Sequence, residues 1–165
     1  GCAGIIIPNI KNASELISIR NSCYLPPAGN RGVGYSRANL FGKNFLEYKK
    51  EKTKPIIVAM IENISSVENL EKILMVKGLD AILVGPYDLS ASMNITGKFE
   101  NQKFKSIITK IKILCKKNKI PCGIHVIKPK KTSLNKYIKQ GFQFLPYSMD
   151  TVLLNLAIEK SFEKK

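Results

Sequence analysis

Along nearly the whole chain, short runs of apolar residues alternate with segments whose apolar positions recur every three or four residues. AGIIIPNI (Ala3 to Ile10) is apolar along its length, which predicts a strand buried on both faces. NASELISIR (Asn12 to Arg20) follows with a polar start and helical spacing, so the two form one βα unit. PIIVAMIEN (Pro55 to Asn63) predicts a second strand. SSVENLEKILMV (Ser65 to Val76) places Glu68 three residues after Ser65, a capping-box pattern that predicts a helix. LDAILVG (Leu79 to Gly85) predicts a third strand.

Beyond it, NQKFKSIITKIKILCKKNK aligns Phe104, Ile107, Ile108, Ile111 and Leu114 or Cys115 on one helical face. IPCGIHVI (Ile120 to Ile127) and FQFLPYSM (Phe142 to Met149) predict the fourth and fifth strands, with a weaker helical pattern around Leu134 to Gln140 between them. DTVLLNLAIEKSFEKK closes the chain as a helix. The segment from Cys23 to Lys54 breaks the rhythm: it is rich in Gly and Pro and reads mostly as loop, with one short amphipathic stretch from Phe45 to Tyr48.

Such alternation predicts an α/β fold in which parallel strands are covered by helices. An open doubly wound sheet and a (β/α)8 barrel both satisfy it. The 165 residues suffice for one core and not for two ordinary ones, so residues 1–165 are expected to be a single domain.

Composition changes this picture little. The formal charge of +15 invites a nucleic-acid reading, but of 27 basic residues only Arg20, Arg31 and Arg37 are arginine. Bidentate recognition of phosphate and bases relies on arginine, and no aromatic residues interleave with the lysines to stack bases. No nucleic-acid partner is expected. The four cysteines, Cys2, Cys23, Cys115 and Cys122, have no metal-type or redox spacing and are expected to be free thiols in the cytoplasm. No apolar run approaches the ~20 residues of a membrane span, so no membrane partner is expected either.

In either candidate architecture, function gathers at the carboxyl ends of the strands. Those ends offer Pro8 and Asn9, then Glu62 and Asn63, then Gly85-Pro86-Tyr87-Asp88, then His125, then Tyr147 and Ser148. Acids end two consecutive strands. If these strands are neighbours, Glu62 and Asp88 lie side by side, and two carboxylates held together repel until a pKa rises or a cation joins them. With oxygen ligands only, that cation is of the Mg²⁺ or Mn²⁺ type. The alternative is that Glu62 is merely solvated and Asp88 caps the helix after it.

AMIEN, VENL and GLDAILVGPYDLSASM, together with YLPPAGNRGVGYSRA and GFQFLPYSMDTVLL, resemble the HpcH/HpaI aldolase family, the metal-dependent class II pyruvate aldolases, nearly from end to end. The resemblance implies a (β/α)8 barrel, usually assembled as a homo-oligomer of the trimer or hexamer type. It implies reversible cleavage of a 4-hydroxy-2-oxo acid to pyruvate and an aldehyde, with a 2-oxo acid as the small-molecule partner. It also implies a divalent metal, Mg²⁺ or Mn²⁺ with Co²⁺ as a further candidate, on Glu62 and Asp88. Gly85 and the backbone N–H groups of Tyr87 and Asp88 then become the expected pyruvate clamp, and His125 a contact for the aldehyde portion.

Departures from the family carry their own expectations. Met60 stands where a substrate-contacting Gln is common, and His125 where an apolar residue is common. Arg31 and Arg37 lie in the GNRGVGYSRA loop, where structural anchoring or subunit contact is expected. The acid–base His, its Asp partner and the pyruvate-binding Arg of the family's first three strands have no counterpart. A (β/α)8 barrel takes ~250 residues. A chain that opens on Gly-Cys-Ala-Gly is thus expected to be the carboxyl-terminal portion of a barrel, about strands four to eight, with impaired activity alone. Two other functions are the alternatives: a citrate-lyase-like acyl-CoA C–C lyase, and a non-catalytic interaction fragment of the barrel.

Overall fold

The computed structural model describes residues 2–50 and 54–162, apart from the Lys49 side chain. Its sheet contains β1 (Gly4–Ile7), β2 (Ile56–Ile61), β3 (Ala81–Val84) and β4 (Cys122–Ile124). These strands pair in that order and all are parallel, so each lies beside the next one in sequence. The helices are α1 (Ala13–Cys23), α2 (Phe45–Lys50), α3 (Ile64–Glu68), α4 (Leu70–Leu74), α5 (Pro86–Ser92), α6 (Gln102–Asn118), α7 (Lys131–Lys139) and α8 (Asp150–Phe162). This is the expected α/β fold with a parallel sheet. Among the described residues no helix is long and apolar enough to cross a membrane.

Because side chains alternate across a strand, the sheet has two differently populated faces. Ile57 and Ile61 of β2, Ile82 and Val84 of β3 and Ile124 of β4 point to the helix side, where they join Leu16, Leu70, Ile73, Leu89 and Ile111 in the main core. Burying each such side chain stabilises the fold by roughly 1.5–3 kcal/mol relative to exposure. On the other face a smaller cluster forms from Val58, Ala81 and Leu83, with Met60 and Phe144 packed against it. Near β1 that second face opens to solvent: Ile6 is 47% exposed and Ile56 54%.

Two elements differ from the sequence reading. The helix expected over Ser65 to Val76 is two short ones, and Asn63 rather than Ser65 is the N-cap, its side chain accepting from the Ser65 N–H. The break falls at Asn69, whose side-chain amide donates to the carbonyls of Ser65 and Lys11 and so ties the turn to the loop after β1. The fifth strand is not continuous; it survives as isolated parallel bridges from Gly123 to Phe144 and from Val126 to Tyr147. Ile124 N–H donates to Phe144, Val126 N–H to Pro146 and Ser148 N–H to Val126. The missing rung is the one Pro146 would donate, and proline has no N–H. The last three residues of the expected closing helix lie outside the described residues.

The loop between α1 and β2 is more ordered than its composition suggests. Arg31 donates to the Tyr48 hydroxyl at 3.0 Å and stands over the Tyr48 ring, which is the anchoring role expected of it. Arg37 opens a 3-10 turn, Arg37–Gly42. There the buried Asn39 side chain accepts from Ser36 N–H and Gly42 N–H and donates to the Gly34 carbonyl.

Candidate metal centre

The two-residue period carries the second face upward to the rim. Met60 is followed on that face by Glu62, Leu83 by Gly85, and Gly123 by His125. The registers Ile61 to Val84 and Val84 to Ile124 set these three rim residues side by side. The Gly85 N–H donates to the Ile61 carbonyl, and the His125 N–H to the Val84 carbonyl, so the pairing runs to the last residue.

Glu62 is held at two points. Its Oε1 accepts the Asn9 N–H at 3.2 Å, which ties it to the turn after β1. Asn9 has φ 54°, a left-handed backbone that Asn tolerates better than most residues. On the other side its carboxylate lies over Gly85: a Cβ added there would meet Glu62 Oε2 at 3.0 Å, Glu62 Cβ at 3.1 Å and Met60 Cε at 3.5 Å. A methyl at this position would press on the Glu62 side chain, which would have to give by a few tenths of an ångström. Gly85→Ala is therefore expected to push the carboxylate aside and weaken Mn²⁺ binding about tenfold, measured by calorimetric titration. Unchanged affinity would contradict this packing.

Asp88 is the third residue of α5, which Gly85 caps and Pro86 opens. Proline suits that place because the first helical N–H has no intrahelical partner to lose. Asp88 is exposed, and its charge reaches Glu62. The Glu62 carboxyl is pushed above the ordinary range, first by burial and then by Asp88, while the Asn9 N–H opposes both. Asp88 is thus near enough for its charge to act on Glu62, and it does not cap α5 as the alternative reading expected: Gly85 is the N-cap, with no side-chain cap hydrogen bond, and Asp88 lies inside the first turn.

The serines of the DLSAS stretch are structural. Ser90 Oγ donates to the Tyr87 carbonyl and accepts the Gly97 N–H, rather than capping the start of α5. Ser92 Oγ accepts the Ile64 N–H, which links α5 to the loop that carries Glu62. The Tyr87 ring packs edge-on against Phe99 at 5.0 Å, while the residue remains 39% exposed.

His125 sits one strand beyond Gly85, with Nε2 3.1 Å from the Ser148 carbonyl. A carbonyl only accepts, so the proton is assigned to Nε2 and Nδ1 is left as an acceptor. Met60 belongs to the apolar floor under the pair. Among the described residues no group of three or more His, Cys, Asp or Glu is placed to hold a metal ion, so any site at Glu62 and Asp88 would have two carboxylates as its only such side chains. Sequence reasoning missed Asn9 as a positioning residue. The Pro-Asn dipeptide at a strand end was the available signal, since it marks a tight turn there.

Comparisons with known proteins identify the family and the fold. A model of the HpcH/HpaI aldolase/citrate lyase family matches residues 1–157. The 5-keto-4-deoxy-D-glucarate aldolase of Citrobacter koseri is 31% identical over 162 residues, covering 97% of this chain and 62% of its own length. The 4-hydroxy-2-oxovalerate aldolase of Rhodococcus jostii is 29% identical over 156 residues, covering 93% and 59%. The crystal structure of an HpcH/HpaI aldolase from Desulfitobacterium hafniense matches with a TM-score of 0.83 at 27% identity, covering 98% of this chain and 62% of that one. The chain therefore spans 59–62% of the length of these relatives. With the family model matched over nearly every residue, the chain belongs to the HpcH/HpaI aldolase/citrate lyase family.

Proposed function

We propose that this chain supplies the metal-binding side of an aldolase that reversibly cleaves a 4-hydroxy-2-oxo acid into pyruvate and an aldehyde. It would do so as roughly strands four to eight of a (β/α)8 barrel. The observation that carries the reading is the Glu62 and Asp88 pair on adjacent strand ends, close enough for one charge to raise the other's pKa.

The donor set fits a hard divalent cation: two carboxylates leave several positions for water and substrate, as Mg²⁺ and Mn²⁺ sites commonly do. When bound, the cation would supply Lewis-acid stabilisation of the charge that develops on the keto oxygen as the C–C bond breaks. The chain's own groups orient the rest. The Tyr87 and Asp88 amides, in the first turn of α5, have no intrahelical acceptors and face the side where a substrate carboxylate is favourably held. Nδ1 of His125 would accept from a hydroxyl on the aldehyde portion. Met60 and Leu83 close the floor without polar groups, which keeps water from the reacting carbons. The resemblance places the acid–base His and the pyruvate-binding Arg in the part of the relatives' length that this chain does not span.

The test is pyruvate release from a short 4-hydroxy-2-oxo acid, with added Mg²⁺ or Mn²⁺ and again after chelation. It is run on this chain alone and on this chain joined to the remaining length of a relative. Metal-dependent turnover is expected in the joined protein and little in the chain alone; equal, metal-independent rates in both would sink the reading.

The raised pKa of Glu62 sets a pH dependence. A cation must displace the Glu62 proton, so affinity for Mn²⁺ should fall on acidification earlier than for an ordinary Glu. Asp88→Asn should lower the Glu62 pKa. For the metal-free chain the sign is the reverse of a paired acid: the folded state holds this proton more tightly than the unfolded one. Its stability contribution is present below the ordinary Glu range and lost as pH rises through the raised value. Thermal melts across that window, with and without Mn²⁺, should show a decline with pH that the cation abolishes.

A further inference from the structure

We propose that the cavity closed by the carboxyl-terminal half of α6, the end of α7 and the start of β4 is a binding site for a small multivalent anion of the phosphate class. It encloses about 730 Å³, a volume in the range of small-molecule sites, and its lining includes Lys112, Lys116, Lys119, Gln140 and Gln143. No acidic residue lines it. It lies at the beginning of β4, whereas His125 and the metal centre lie beyond the other end of that strand.

Some lysines of α6 and α7 are paired with acids and others are not. On the same two helices, Lys105 and Lys136 share Glu100, and Lys117 faces Glu71. Among the described residues Lys116 and Lys119 have no acidic partner, and Lys112 stands over the Phe142 ring, with Nζ 5.4 Å from its centroid. Helix carboxyl ends ordinarily present carbonyls that attract cations and would consume such charges. Here several of those carbonyls are already engaged. Lys119 N–H bonds the carbonyls of Cys115 and Lys116, and Ile120 N–H that of Cys115. Gly141 N–H bonds Ile138, and Phe142 N–H bonds Tyr137. The floor adds no negative charge: the Cys122 thiol is pushed far above its ordinary range by its hydrogen bond with Cys115 and by burial.

Three lysines bordering one concave wall, with no acid in the lining, raise the positive potential in the cavity. Ammonium groups bind phosphate as point charges without needing a planar fork, and the Gln140 and Gln143 amides add neutral donors. Two or more negative charges on the ligand are needed to offset three cations. The site lies wholly within the described chain and is independent of the metal centre, so either proposal can fail alone.

The experiment is calorimetric titration of the full chain with inorganic pyrophosphate in metal-free, low-salt buffer. Saturable binding at one site per chain is expected. In Lys116→Gln with Lys119→Asn, where both side chains are exposed and Asn suits the left-handed backbone of residue 119, affinity should fall about tenfold or more. Lys128→Gln with Lys131→Gln removes the same charge near the other end of α7 and should change it little. Circular dichroism checks that both variants keep the fold. Equal losses in the two variants would show a general charge effect and overturn the proposal. So would the absence of saturable binding, or a tricarboxylate that binds as well as pyrophosphate.

Discussion

Glu62→Gln should abolish Mn²⁺ binding while leaving the metal-free chain as stable as before or slightly more so. The two effects have opposite signs if the carboxylate serves binding, as proposed, while its charge does not help folding. Gln keeps the shape and an oxygen that can still accept the Asn9 N–H. It removes a charge that burial and Asp88 both disfavour. The lost ligand is another matter. Removing a group that only supports a ligand commonly costs 10–100-fold in affinity, so loss of a direct ligand should cost on the order of a hundredfold or more. Asp88→Asn should behave alike. Calorimetric titration and thermal melts read the two effects separately; wild-type Mn²⁺ affinity in either variant would remove the carboxylate pair from the site.

Gly123→Ala should be among the most destabilising single methyl additions in the chain, costing about 2–4 kcal/mol. A Cβ at 123 would meet the Phe144 carbonyl oxygen at 2.6 Å, its Cδ1 at 2.9 Å and its Cβ at 3.0 Å. A flexible side chain could retreat from such a contact, but a backbone oxygen cannot. The same carbonyl accepts the Ile124 N–H at 3.0 Å, so pushing it away breaks one of the few rungs between β4 and the segment around Phe144. His125 and Ser148 should separate with it. Urea unfolding measures the loss, and Gly32→Ala is the control: nothing lies within 4 Å of its added Cβ and its φ is not positive, so it should be close to neutral. Equal midpoints for the two variants would contradict the close approach of these strands.

How far the sequence revealed this depends on the range of the interactions. Continuous apolar runs identified β1 to β4 because parallel strands covered by helices are apolar along their length, although near β1 the second face is open to solvent. Glu62 and Asp88 were legible for the same reason: a strand end fixes where a side chain emerges, and parallel order puts consecutive ends together. The break at Asn69 was not legible, since it depends on the Lys11 carbonyl, far away in sequence. The fifth strand failed through one residue that could be read in advance, Pro146. The tight fit at Gly85 was hidden, because an added methyl would press on a side chain from another strand. The cavity of Lys112, Lys116 and Lys119 was equally hidden: lysine is so common in this chain that only the placement of acids shows which lysines lack partners.

The strand order has a kinetic consequence. Each strand pairs with its successor, so the sheet can grow one βα unit at a time as the chain is synthesised, and the shortest connection to close is the one between β2 and β3. Glu62 and Asp88 come from consecutive units, so their encounter needs only the second and third strands to meet. The acidic centre can therefore be among the first tertiary features to form, and a cation present during folding would meet it before the rest of the sheet is complete.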